Sequence, residues 1–205
     1  KAPYNASTKD LFPYVVQLGS NAKGELKALS WQTTPGGWFY RRSMAKKYFG
    51  TDDPAEIAKL FKTWDSTLAA AEVIKTKSNG SAYMFAGLGD GFSRVFTSNR
   101  TTPWVDAKKN FSVDSQIYDY FKIAKKVRDA GYDAKLSDWT GPFFEAMNTP
   151  ADAANVFVFS WPTWGLHFVL NGQTKSNGDW AVVPAPKPYF WGGTFMGIYK
   201  NSPNK

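Results

Sequence analysis

The chain of 205 residues has no cysteine and one histidine. The first absence excludes disulfides, thiolate metal sites and cysteine nucleophiles. It leaves the compartment open. The second excludes a zinc site built from several histidines. A serine–histidine–acid triad would have to use His167, in the apolar stretch Leu166-His167-Phe168-Val169-Leu170. That setting reads as a satisfied, partly buried histidine rather than a catalytic base. No apolar run reaches the roughly 18 residues of a membrane-spanning helix. Lys1-Ala2-Pro3-Tyr4 has no apolar signal core, so any secretion signal is expected to be cut away or to lie outside this sequence. No metal and no cofactor is implied.

The formal net charge is +8, with 43% hydrophobic and 20% charged residues, enough apolar content to bury a core. Residues 1–68 carry 10 Lys/Arg against 6 Asp/Glu, residues 69–137 carry 11 against 7, and residues 138–205 carry 4 against 4. The excess is spread thinly, on helical faces such as Lys122, Lys125, Lys126 and Arg128. Nucleic-acid binders concentrate charge in a patch, so no nucleic-acid partner is expected. The neutral last third instead holds 14 Phe, Trp or Tyr among its 68 residues.

Helices are expected at 6–18, 38–49, 54–61, from Thr63-Trp64-Asp65 onward, 115–130, 141–148 and 165–171. In the helix at 38–49, Trp38, Phe39, Met44, Ala45 and Tyr48 point inward. In the helix at 115–130, Ile117, Phe121, Ala124 and Val127 form the buried stripe. Strands are expected at 24–32, 83–86, 155–159, 179–184 and 191–199. Strands alternating with helices define an α/β class. The run Gly87-Leu88-Gly89-Asp90-Gly91 lacks dinucleotide spacing, because Phe92 stands where the third glycine should be. It reads as a tight loop at a strand end, a place where ligand contacts often sit. Ser202-Pro203 is a helix start two residues from the last residue, which predicts a fragment of a longer protein.

A sugar site needs flat aromatics for the apolar ring faces and carboxylates, amides or arginine for the hydroxyl edges. Trp161, Trp164 and Trp191 lie beside Gly and Pro at strand ends or turns, positions poor for core packing. Asp90 and Arg94 flank Phe92 and suit hydroxyl recognition; the alternative is a surface ion pair. Gly192-Gly193 could offer backbone N–H groups to a ligand, or form a bulge or a close chain approach.

The stretch Ala28-Leu29-Ser30-Trp31-Gln32-Thr33-Thr34-Pro35-Gly36-Gly37-Trp38-Phe39-Tyr40-Arg41-Arg42 resembles the segment where extracellular solute-binding proteins of sugar ABC importers first cross between their lobes. Lys62-Thr63-Trp64-Asp65 matches the family's "TWDE"-like helix start. Asn155 to Gly165 followed by Trp180-Ala181-Val182-Val183-Pro184 is similar to its apolar strand, tryptophan-bearing turn and "G-x-x-P" strand. Gly192 to Tyr199, closing with Lys200-Asn201-Ser202-Pro203-Asn204-Lys205, resembles the return crossing. The likeness runs through nearly the whole chain in the family's order.

The resemblance implies an α/β lobe of the type II periplasmic-binding-protein kind, with a mixed β-sheet flanked by helices. Residues 1–205 would form a single domain: the second lobe plus its crossing strands. Family members run to roughly twice this length, so first-lobe segments are expected before residue 1 and after residue 205. In the maltose-binding-protein-like members the turn after the apolar strand carries a sugar-stacking tryptophan, which implies Trp161 or Trp164. Trp31 and Gln32 would fall in the ligand-contacting hinge, and Trp191, Gly192 and Gly193 at the return crossing facing the cleft. Asp90 to Phe92 falls where an acidic and aromatic pair occurs, although here glycines interrupt that order. The implied partners are a sugar or oligosaccharide and the transmembrane subunits of an ABC permease, with the receptor a monomer. The implied location is extracellular, as a membrane-anchored lipoprotein, or periplasmic. The Asn-X-Ser/Thr triplets at Asn5, Asn79, Asn99 and Asn110 are chance occurrences on this reading. The rival classes are a glycoside hydrolase-like enzyme using a pair such as Asp90 with Glu145, and a basic nucleic-acid or anionic-surface binder.

Overall fold

The structure is a computed structural model, and it describes residues 7–203. Residue 6 of the expected first helix, Asn5 and Ala6 of the first triplet, and Asn204 and Lys205 of the return-crossing motif lie outside the described residues. In chain order the elements begin with α1 (Pro13–Leu18), β1 (Leu29–Ser30), β2 (Gly36–Arg41), α2 (Arg42–Phe49), α3 (Pro54–Leu60) and α4 (Trp64–Lys77). They continue with β3 (Tyr83–Phe85), α5 (Asp90–Thr97), α6 (Ser115–Asp129) and α7 (Gly141–Asn148). The last are β4 (Val156–Pro162), α8 (Thr163–Phe168), β5 (Trp180–Val183) and β6 (Phe195–Met196).

These elements fall into two compact units. The smaller comprises the residues up to Thr34 together with those from Gly192 onward; the larger is Pro35–Trp191. In the smaller unit β1 and β6 pair antiparallel, Leu29 opposite Met196 and Ser30 opposite Phe195. Gly19 lies so close to this strand pair that a Cβ there would meet the Ala28 carbonyl oxygen at 2.2 Å.

The larger unit is built on a four-stranded mixed sheet of order β3-β4-β2-β5. β3 and β4 run parallel; β2 is antiparallel to both of its neighbours. β2 corrects the sequence expectation. Residues 36–41 are a strand, and only Arg42–Phe49 is helical. The aromatic run Trp38-Phe39-Tyr40 prefers a pleated surface. A central strand is covered on both faces and so shows no alternation to betray it. Trp38 and Tyr40 join one apolar cluster with Met84, Phe85 and Phe92. Phe39 joins the other, with Phe143, Phe159, Trp161 and Trp191.

Two helix starts follow their sequence signals. Asp53 accepts from the Ala55 and Glu56 amides and Pro54 opens α3; Thr63 and Ser66 form a reciprocal capping box on α4. On α6 the expected stripe holds at Ala124 and Val127 but not at Phe121. Tyr120, Ile123, Ala124 and Val127 pack inward, while Phe121 is 62% exposed. The shift follows from α5, whose Phe92 and Phe96 rings receive Tyr120. The expected strand at 24–32 shortens to Leu29–Ser30, and that at 191–199 to Phe195–Met196. Trp161 and Pro162 belong to β4 rather than to a turn, and the helix after them starts earlier, at Thr163. His167, expected to be partly buried, is exposed on α8.

One polar cluster clamps the larger unit internally. The Arg41 side chain is fully buried, and its Nε lies 2.6 Å from Oδ2 of buried Asp179. Its Nη2 donates to the Thr149 carbonyl at 2.6 Å, and Trp180 lies against the guanidinium. Asp179 also accepts from the Ser43 amide and hydroxyl, each at 2.7 Å.

Candidate ligand-binding face

Four tryptophans of the larger unit form one cluster. Trp161, at the end of β4, is paired across the sheet with Gly37 and is completely buried. Trp191 stacks on it with ring centroids 5.4 Å apart and planes 2° from parallel. Trp164, in the first turn of α8, meets Trp161 at 6.0 Å and donates its indole N–H to the Trp191 carbonyl at 3.1 Å. Trp139 meets all three: edge-on to Trp161 at 5.0 Å and to Trp191 at 6.0 Å, and stacked with Trp164 at 6.2 Å. Trp139 is 48% exposed and Trp164 half-buried. The buried pair therefore supports the two indoles that present surface. Gly165 makes this possible, since a Cβ there would lie 2.6 Å from that of Trp161.

Charged groups border the cluster. Arg94, on α5, places its guanidinium over Trp191 at 5.5 Å and bonds Asp90 through Nε at 2.9 Å and Nη2 at 2.7 Å. Asp138, beside Trp139, accepts from the Gly91 amide at 3.2 Å. Burial pushes the Asp138 carboxyl above its usual range; the amides of Gly91 and Asp90 oppose that rise, and the Asp90 charge adds to it. An open groove of about 550 Å³ runs past Gly89, Asp90, Lys135, Ser137, Asp138 and Trp139.

The glycine run has a packing explanation. A Cβ on Gly87 would meet the Leu136 carbonyl oxygen at 2.0 Å, one on Gly89 would meet Asp138 Oδ2 at 2.6 Å, and one on Gly91 the Ser160 carbonyl oxygen at 2.9 Å. The glycines let the loop after β3 lie flush against the backbone that carries Asp138 and Trp139.

The structure brings Asp90, Arg94, Trp161, Trp164 and Trp191 together. Phe92 is a correction. It is 3% exposed and packs among Trp64, Phe85, Phe96 and Tyr120, so its ring is spent on the core rather than shown to a ligand. Trp161 is a correction of the same kind: it supports the cluster from beneath and exposes no ring face. The Asp90–Arg94 pair is the one-turn surface ion pair that the sequence left as the alternative, with Arg94 also against Trp191. In the smaller unit Trp31 is 68% exposed, and Gln32 is held by the Ser30 hydroxyl through both its N–H and its carbonyl. Gly192 and Gly193 take φ of 83° and 120°, conformations that favour glycine. The Gly192 carbonyl accepts from the Thr34 hydroxyl at 3.1 Å.

Trp139 and Asp138 escaped the sequence reading. Their signal was present: Ser137-Asp138-Trp139-Thr140-Gly141-Pro142 is another tryptophan in a loop beside Gly and Pro. Among the described residues, no group of three His, Cys, Asp or Glu is placed to hold a metal ion. No helix there is long and apolar enough to cross a membrane.

No family model matches the sequence, and no curated protein matches it. Solved structures do match in fold. The chain has the α/β architecture of the type II periplasmic-binding-protein-like solute-binding proteins, a mixed sheet flanked by helices. A crystal structure described as extracellular solute-binding protein family 1 is 20% identical over 94% of this chain and 49% of that one, with a TM-score of 0.77. The ABC-transporter-associated binding protein of B. animalis subsp. lactis Bl-04, solved with β-1,6-galactobiose, is 21% identical over 94% and 48%, with a TM-score of 0.68. The sugar-binding protein MalE of the phytopathogen Xanthomonas citri is 18% identical over 93% and 48%, also with a TM-score of 0.68. The chain thus spans about half the length of the solved proteins it matches.

Proposed function

We propose that this chain is the second lobe, with its crossing strands, of a carbohydrate-binding receptor of an ABC importer. The receptor closes its lobes about a hinge on a sugar or oligosaccharide and delivers it to the membrane permease, with no chemistry on the ligand. The observation that carries the reading is the exposed face of Trp139 and Trp164, backed by the buried Trp161–Trp191 stack and bordered by Asp90, Arg94 and Asp138. Indoles match the C–H faces of a sugar ring; the carboxylates and the guanidinium match its hydroxyls. Solved proteins of the same fold support it, since those reported above include one holding a galactobiose and one described as sugar-binding. Trp31, Gln32, Gly192 and Gly193 are proposed as further contacts from the hinge crossings. The receptor acts as an exported monomer, membrane-anchored as a lipoprotein or periplasmic.

The enzymatic alternative needs two carboxylates free to exchange protons. Of the pair that this alternative named, Asp90 is tied to Arg94 and Glu145 lies exposed on α7, and no contact joins the two, which favours binding over hydrolysis. The test is tryptophan fluorescence of the two-lobed protein titrated with mono- and oligosaccharides. A saturable shift with one sugar, lost in Trp139→Ala and Trp164→Ala with no product formed, is expected. No shift with any sugar, or steady consumption of one, would overturn the proposal.

A further inference from the structure

Residues 101–111 are all exposed except Asp106. The segment is nonetheless built firmly. At its base Asp114 Oδ2 accepts from the Thr101 amide at 2.7 Å and from the Thr102 amide and hydroxyl at 2.8 and 2.9 Å. At its tip Asp106 Oδ1 accepts from the Lys108 and Asn110 amides, both at 2.8 Å. Between them the Ser112 amide donates to the Trp104 carbonyl at 2.9 Å, and Val105 bridges Phe111. Chain fraying therefore does not account for the exposure of its apolar side chains.

What this hairpin displays is apolar and basic together. Phe111 is 74% exposed, Val105 54% and Trp104 42%. Phe111 and Trp104 stack with planes 10° apart, and the Arg100 guanidinium lies over Trp104 at 4.3 Å. Lys108 and Lys109 flank the tip. Asp106 stays an anion, its carboxyl held low first by the Asn110 amide, but it faces the turn's own N–H groups. The local balance is three cations, Arg100, Lys108 and Lys109, to two anions, Asp106 and Asp114, both of which already accept from backbone N–H groups.

A sugar site would border its rings with free hydrogen-bond acceptors, and here the acceptors close the turn. Aromatic and aliphatic arms beside a lysine-bearing tip instead match a lipid interface, where rings sit at headgroup depth and lysines and arginines meet phosphates. We infer that the hairpin of Trp104, Val105, Lys108, Lys109 and Phe111 docks on the surface of an anionic phospholipid bilayer, with Arg100 bracing Trp104. This surface shares no residue with the tryptophan face, and the inference stands whether or not that face binds sugar.

The test is co-sedimentation of the 205-residue chain with vesicles of phosphatidylcholine alone and of equimolar phosphatidylcholine and phosphatidylglycerol. Binding to the anionic vesicles only is expected. Phe111→Ser and the double variant Lys108→Glu/Lys109→Glu should each weaken it by about tenfold or more. Lys125→Glu, an exposed charge on α6, should change it by less than about twofold because its field is screened within a Debye length. Phe111→Leu should restore binding, and unchanged thermal melts show that the exposed substitutions leave the fold intact. Absence of sedimentation with anionic vesicles overturns the inference. So does equal weakening by Lys125→Glu, which would mean diffuse attraction to the net charge. Self-association abolished by Phe111→Ser without vesicle binding would assign the surface to a second copy of the chain and also overturn it.

Discussion

Trp161→Ala separates support from display in the tryptophan cluster. Trp161 is fully buried and touches four rings, Trp139, Phe143, Trp164 and Trp191, the last by close parallel stacking. Its truncation leaves a cavity the size of most of an indole, and such changes cost about 3–5 kcal/mol. That is a large share of the roughly 5–15 kcal/mol that holds a domain together. Trp139→Ala removes a ring already half in water and should cost about 1 kcal/mol. Trp161→Phe sharpens the comparison. The Trp161 indole N–H is buried without a partner, so phenylalanine removes an unsatisfied donor while giving up part of the packing. Its net cost should fall well below that of alanine, near about 1–2 kcal/mol. Urea unfolding, with midpoints compared at constant m-value, reads all three. A cost for Trp161→Ala no greater than that for Trp139→Ala would refute the division of roles.

Three further outcomes follow from the same reasoning. Asp179→Ala strands the fully buried Arg41 guanidinium and should destabilise by about 3–5 kcal/mol in urea unfolding, with the loss largely recovered in Arg41→Met/Asp179→Ala. Gly87→Ala would force a Cβ into the Leu136 carbonyl, so the loop or its neighbour must move; a loss of about 1–3 kcal/mol is expected from thermal unfolding. Asp114 has its carboxyl held well below the usual range, first by the Gln116 amide, so its contribution is present above the ordinary carboxylate range and is lost as pH falls toward its lowered value. Asp114→Asn should flatten the acid limb of a stability–pH curve, and an unchanged limb would show that the clasp carries no pH-dependent stability.

How much was legible depended on whether a local rule governed the segment. Asp53-Pro54 and Thr63 through Ser66 declare their helices through capping chemistry that needs nothing beyond four residues, and both start where the sequence placed them. Trp38-Phe39-Tyr40 was misread because a strand buried on both faces carries no period; only the partners at Phe159 and Val182 identify it. Phe121 was turned inward for want of knowing that Phe92 and Phe96 would claim Tyr120 instead. In the candidate site, the choice of tryptophans beside Gly and Pro found three members of the cluster. It could not tell Trp161, under the surface, from Trp164, at it, because burial there is decided by Trp139 and Trp191 from distant parts of the chain.

That same long-range dependence argues for why the cluster sits where it does. Trp139 comes from the loop before α7, Trp161 and Trp164 from the junction of β4 and α8, and Trp191 from the far end of the larger unit. Every pair among the four is in ring contact, so none can be repositioned without disturbing the others. Arg94 and Asp138 bind this junction to α5, through the Trp191 ring and the Gly91 amide. The glycines at 87, 89 and 91 allow the backbone to approach that closely. An exposed indole that must keep its orientation needs rigid packing behind it. The buried Trp161–Trp191 stack supplies that packing, which is a reason for burying two of the four tryptophans beneath the two that present surface.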